Sequence, residues 1–156
     1  MIIIDKALEK LEKEGKPIRV GMVGAGFQGR GVGLEIIKYT KGMKLVAIAN
    51  RTLEKAKSVY NQSGIENVKT VTSVKELDEA IESKEYAVLE NAFLLCESKN
   101  IDVILDVTGA LEFGAQITMK AIENKKQALG RIFCLFMADF IRDCSKFCVD
   151  FTKLPF

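Results

Sequence analysis

No histidine occurs in this chain of 156 residues. That absence removes the side chain that titrates nearest neutral pH and the commonest metal ligand. Cysteine does not fill the gap. The four cysteines follow no repeating pattern, and Cys144 and Cys148, one helical turn apart, make half a metal site at best. They read as ordinary apolar residues, so neither a disulfide framework nor a bound metal is expected. An excess of one charge is missing too: 23 lysines and arginines are scattered among 21 aspartates and glutamates for a net +2. No basic stripe therefore marks nucleic acid or a membrane surface as a partner. No apolar run approaches the roughly 20 residues that span a bilayer. The opening "MIIIDKALEK" has too short an apolar run for a signal peptide and lacks its leading positive charge, so a cytoplasmic location is expected.

What remains is an ordinary globular composition, 48% hydrophobic and 28% charged, enough for one core. The first segment, "IDKALEKLEKEGKP", spaces Ile4, Leu8 and Leu11 at i, i+4 and i+7, with Asp5 placed as a cap and Gly15 and Pro17 as a stop. "IRVGMVGAG" is continuously apolar, which suits a strand buried on both faces of a parallel sheet. "GVGLEIIKYTKG" is a helix carrying Leu34, Ile36 and Ile37 and ending at Gly42. "MKLVAIAN" (strand), "RTLEKAKSVYNQSG" (helix) and "VKTVTS" (short strand) follow. "SVKELDEAIES" opens with a capping box, Ser73 and Glu76, and "EYAVLENAFLLCES" reads as its helical continuation. "IDVILDVTG" is a strand and "ALEFGAQITMKAIENKK" the helix after it. This alternation predicts an α/β fold: a doubly wound parallel sheet of the Rossmann type. A single domain is expected, with a lead-in helix over 1–16, a core over 18–130 and a tail over 131–156.

The tail differs in character. Phe133, Phe136, Phe140, Phe147, Phe151, Phe156, Cys134, Cys144 and Cys148 all fall in it. "QALGRIFCLFMADFIRDCSKFCVDF" reads as helical, or only briefly extended at its start. Phe133, Phe136 and Phe140 then share a face that would bury against the sheet edge or against a second copy, a homo-oligomer.

The densest signal is "RVGMVGAGFQGRG", five glycines in thirteen positions. Gly24, Gly26 and Gly29 satisfy G-x-G-x-x-G between a strand and a helix, the context in which the pattern points to a dinucleotide. Gly24 permits the tight turn, Gly26 lets a pyrophosphate approach bare backbone, and Gly29 lets helix and strand pack closely. The amides near Gly26, Phe27 and Gln28 then face the anion from the positive end of the helix. About 20 residues on, where a carboxylate would take the ribose hydroxyls of NAD, the chain has Asn50 and Arg51, with Thr52 and Lys55 nearby. A neutral amide beside a guanidinium accepts a 2′-phosphate, so NADP is preferred and NAD is the second choice. Asp106, Thr108 and Gly109 end a central strand, where open α/β sheets bind ligands. Thr108 and Gly109 would line the nicotinamide side, unless Thr108 serves only as a helix cap.

On the segments "GKPIRVGMVGAGFQGRG", "GMKLVAIANRTLEKA", "AFLLCES" and "IDVILDVTGALEFGAQITMKAIENKK", the chain resembles the NAD(P)-binding half of the homoserine dehydrogenase-like oxidoreductases. Its closer resemblance is to the 1-deoxy-D-xylulose 5-phosphate reductoisomerase-like branch. The resemblance covers about residues 15–126. It implies hydride transfer between a nicotinamide and a carbonyl or alcohol. Relatives of this kind are longer, and their catalytic lysine and acidic residues lie further on, so catalytic residues stay unknown in this chain. After "AIENKK" the pattern departs: the Glu-Lys-Pro of the related glucose-fructose oxidoreductase class is replaced by "QALGRIFCLFMADF". This implies a truncated oxidoreductase with a replaced tail. The alternatives are a stand-alone, non-catalytic nucleotide-binding module and, more distantly, a domain for CoA or a bare nucleotide.

Overall fold

Four apolar runs form the middle of a six-stranded sheet because each is too short to be an amphipathic helix and is flanked by turns. They are β1 (Ile18–Val23), β2 (Met43–Ala49), β4 (Tyr86–Leu89) and β5 (Val103–Asp106); β3 (Val68–Thr70) and β6 (Gln127–Gly130) close the edges. The order is β3-β4-β2-β1-β5-β6 and every pair is parallel. The helices are α1 (Ile2–Lys13), α2 (Phe27–Lys38), α3 (Leu53–Gln62), α4 (Val74–Glu82), α5 (Phe93–Glu97) and α6 (Leu111–Glu123). This computed structural model describes residues 2–130, with side chains from Lys6 onward. The sequence expectations for a helical tail, for a shared face of Phe133, Phe136 and Phe140, and for an oligomer formed through it lie outside the described residues.

Both faces of the sheet are covered, which is why its strands are not alternating. Met22, Leu45, Ile48, Val59 and Tyr60 pack with α2 and α3 on one face; Leu77, Leu89, Leu95, Ile104 and Ile117 pack with α4, α5 and α6 on the other. The register of β1 against β2 skips a residue between Leu45 and Ala47. This bulge lets the consecutive Val46 and Ala47 both join the α4–α6 core while Leu45 and Ile48 stay on the opposite face.

Two expectations need correction. "EYAVLENAFLLCES" is not a continued helix: Lys84 adopts φ 61° and turns the chain out of α4, and Tyr86–Leu89 enters the sheet between β2 and β3. Four apolar residues look the same in a buried strand and a buried helical turn, and no glycine or proline marked the break. Residues Gln127–Gly130 complete the edge as a regular strand paired with β5, the extended start that the sequence allowed for this segment. Asp5 lies inside α1, which starts at Ile2, and so is not its cap.

The amino ends of the strands are tied by a polar network remote from the glycine turn. Arg19 forks onto Asp102 through Nε and Nη2 at 3.0 and 2.9 Å, and Lys126 donates to the carbonyls of Ser98 and Ile101. Burial alone would raise the Asp102 carboxyl, but the hydrogen bonds from Arg19 outweigh it and hold the group below its ordinary range. A carboxylate depressed in the folded state stabilises above its unfolded pKa, and that stability is lost as pH falls through the folded value. Asp102→Asn is therefore expected to lower stability at pH 7 by less than about 1 kcal/mol, because solvent screens a partly exposed pair. Thermal melts should show the gap to the parent chain closing below about pH 4; a gap constant down to pH 3 would refute the ion pair's role.

Candidate functional site

The site begins where β1 ends. Gly24 takes φ 103°, a conformation side chains rarely adopt, and its N–H donates to the Ala49 carbonyl at 2.8 Å. A Cβ there would also lie 3.0 Å from Thr108 Cγ2. Gly29 meets a harder limit: its Cβ would lie 2.6 Å from the Gly24 carbonyl oxygen, so α2 sits directly on the turn. Gly26 is different, for among the described residues nothing lies within 4 Å of the Cβ it lacks. They leave that space open.

The turn delivers the start of α2 to the same opening. The first intrahelical bond runs from Arg30 N to the Gly26 carbonyl, leaving the amides of Phe27, Gln28 and Gly29 without helical acceptors. Gly26 supplies no side-chain cap and no acidic residue stands in the first turn. Helix α4 shows the ordinary solution: Ser73 Oγ accepts from Glu76 N at 3.2 Å, and the Glu76 carboxylate accepts from Thr72 N at 2.8 Å. Those bonds hold Glu76 below the ordinary carboxyl range. α2 has no equivalent, while Gly26, Phe27 and Gln28 are exposed, Phe27 to 88%. The positive end of an uncapped, unneutralised helix start favours an anion placed before it.

Beside it, β2 ends in Asn50, Arg51 and Thr52. Asn50 does not project freely. Its Oδ1 accepts from Ala25 N at 3.1 Å, its Nδ2 donates to the Thr52 carbonyl at 2.8 Å, and its own N–H donates to the Leu89 carbonyl at 2.9 Å. Arg51 and Thr52 are exposed. Among the described residues Arg51 forms no salt bridge, and Thr52 starts α3 without using its hydroxyl as a cap. Next to the glycine turn, then, the Arg51 guanidinium and the Thr52 hydroxyl have no such partner among the described residues.

The third side is the end of β5. Asp106 is buried, and its Oδ1 accepts from both the amide and the hydroxyl of Thr108, at 2.9 and 2.7 Å. Thr108 is therefore not a helix cap; α6 starts after Ala110, and the hydroxyl is turned back onto its own strand. Gly109 is exposed with open space around it. A cleft of about 790 Å³ runs from here along α2, lined among others by Phe27, Arg30, Val32, Leu105, Asp106 and Leu129.

All of Gly24, Gly26, Phe27, Gln28, Gly29, Asn50, Arg51, Thr52, Thr108 and Gly109 come together at the carboxyl edge of the sheet. The sequence reading missed three things: the tie from Asn50 to Ala25, the anchoring of Thr108 by Asp106, and the arrival of β4, whose Leu89 carbonyl holds Asn50. Asp106 had a signal in its place two residues before Thr108; the other two had none. Cys96 contributes nothing here. It is buried in α5, its thiol pushed up to about 11 by burial, and so it is not a nucleophile at neutral pH.

A parallel sheet with a glycine turn, an open helix start and a polar second strand end is the architecture of a dinucleotide-binding domain. Residues 18–134 match the profile of the GFO/IDH/MocA family, described as an oxidoreductase family with an NAD-binding Rossmann fold. The chain belongs to that family, in place of the homoserine dehydrogenase-like branch expected above. Among solved structures, scyllo-inositol dehydrogenase from Lactobacillus casei, with bound NAD(H) and scyllo-inositol, is similar at TM-score 0.56 and 18% identity, over 74% of this chain and 28% of that one. Myo-inositol 2-dehydrogenase from Lactobacillus plantarum is similar at 0.56 and 19%, over 81% and 33%. A 3-ketoreductase from Actinomadura kijaniata, solved with NADP, is similar at 0.52 and 21%, over 73% and 29%. At these identities the likeness shows the fold, and the chain spans about a third of their length or less. No curated protein matches the chain. Among the described residues, no helix is long and apolar enough to cross a membrane.

Proposed function

We propose that this chain is the cofactor-binding part of an oxidoreductase, holding NADP(H) in preference to NAD(H). The observation that carries the reading is the start of α2: uncapped, without acid in its first turn, and facing the open space before Gly26. Gly24 would shape the turn, and Gly26, Phe27, Gln28 and Gly29 would hold the pyrophosphate on backbone amides. Arg51, with Thr52, would pair with a 2′-phosphate, and Thr108 and Gly109 would border the nicotinamide. The nicotinamide, when bound, supplies hydride to a carbonyl or takes it from an alcohol. The chain's residues position it: Asp106 holds the Thr108 loop against Gly24, and Asn50 holds the two loops that face the phosphates. Gly24 and Gly29 keep the turn tight enough for the amides of α2 to converge.

The test is calorimetric titration of the full chain with NADPH and with NADH. Binding of NADPH in the micromolar range and weaker binding of NADH are expected. No heat from either cofactor, in a sample shown to be folded by circular dichroism, would overturn the proposal.

A further inference from the structure

The geometry points to Asn50 as a positioning residue that couples the pyrophosphate turn to the adenosine loop, and not as a direct partner of the ribose or its phosphate. The inference deepens the dinucleotide reading and rests on it for its ligand. Three bonds carry it. Asn50 Oδ1 takes the Ala25 amide at 3.1 Å, inside the glycine turn between β1 and α2. Asn50 Nδ2 gives a proton to the Thr52 carbonyl at 2.8 Å, inside the loop between β2 and α3 that presents Arg51. The backbone N–H is spent on Leu89 of β4 at 2.9 Å. One carboxamide therefore spans both phosphate-facing loops.

The chemistry restricts what else can stand here. Bridging an N–H on one side and a C=O on the other needs an acceptor and a donor on one short side chain, and the asparagine amide supplies both at every pH, where an ionised aspartate only accepts. An aspartate would still accept from Ala25 but would set a carboxylate oxygen against the Thr52 carbonyl. The usual rule, that an acid at the end of the second strand favours NAD, then does not transfer to this chain. Asn50→Asp loosens the Arg51 loop before it can offer anything to a ribose.

The test compares the full chain with Asn50→Asp and Asn50→Ala by hydrogen exchange without nucleotide and by titration with NADPH, NADH and ADP. In Asn50→Ala, exchange should quicken locally at residues 24–28 and at the start of α3, with β4 and β5 unchanged. In Asn50→Asp the Ala25 amide should stay protected while the start of α3 quickens. ADP carries no 2′-phosphate, yet its affinity for Asn50→Ala should fall about tenfold, the equivalent of one lost hydrogen bond. NADH should bind Asn50→Asp more weakly than the parent chain. Tighter NADH binding by Asn50→Asp, undiminished ADP binding by Asn50→Ala, or unaltered exchange at 24–28 in Asn50→Ala would each overturn the inference. If the parent chain binds no nucleotide, the dinucleotide reading fails, and the exchange pattern still decides whether Asn50 couples the loops.

Discussion

Alanine at Gly29 is expected to destabilise the chain by about 3 kcal/mol, at the upper end for overpacking a closed site, and to abolish dinucleotide binding with it. The reason is a single distance. A Cβ at Gly29 would lie 2.6 Å from the Gly24 carbonyl oxygen, which is backbone and has no rotamer to escape into. Relief requires α2 to lift off the turn, which displaces the amides of Phe27 and Gln28 from the opening they face. Gly31 is the internal control: it is exposed in the same helix with nothing within 4 Å of its missing Cβ. Gly31→Ala should stabilise the helix by up to about 1 kcal/mol through propensity and leave binding intact. Urea melts and calorimetry on the two variants read both effects. Parent-like stability of Gly29→Ala would show that the close approach of helix and turn is not obligatory.

The second large effect concerns the choice of cofactor. Arg51→Ala should weaken NADPH by about 10- to 100-fold, as expected for losing hydrogen bonds to a charged group worth roughly 1.5–3 kcal/mol. NADH should change by no more than about threefold, a few tenths of a kcal/mol. Because Arg51 is exposed, the substitution breaks no ion pair among the described residues and its effect should fall on the ligand. The same exposure makes the discrimination sensitive to salt, so the NADPH advantage should shrink as ionic strength rises. Equal weakening of both cofactors would remove Arg51 from the 2′-phosphate and assign it a general electrostatic part.

Much of this site was legible in the chain because its logic is local. The glycine spacing encodes a turn whose tightness depends on residues five positions apart at most, and Gly24 and Gly29 stand where that spacing places them. The apolar runs of β1 and β5, each leading into a turn with glycine, read as strands and are strands. The run "YAVL" was not legible, since four apolar residues satisfy either period, and the stop before it is Lys84 in a left-handed conformation that nothing in its side chain announces. Asn50 was legible as a position but not as a part. The residue type suggested a ligand contact, and the fold spends its hydrogen bonds on Ala25, Thr52 and Leu89.

By itself, then, the sequence determined the class of fold, the glycine turn between β1 and α2 and the absence of an acid at the end of β2. Each depends on pattern and spacing within one βαβ unit, where neighbours along the chain are neighbours in space. Only the tertiary structure decided which side chains remain free to meet a ligand. Asn50 and Ala25 are 25 positions apart and Arg19 and Asp102 are 83 apart. Whether a polar group is held by such a partner or left open follows from the stacking of the strands, which no local pattern encodes.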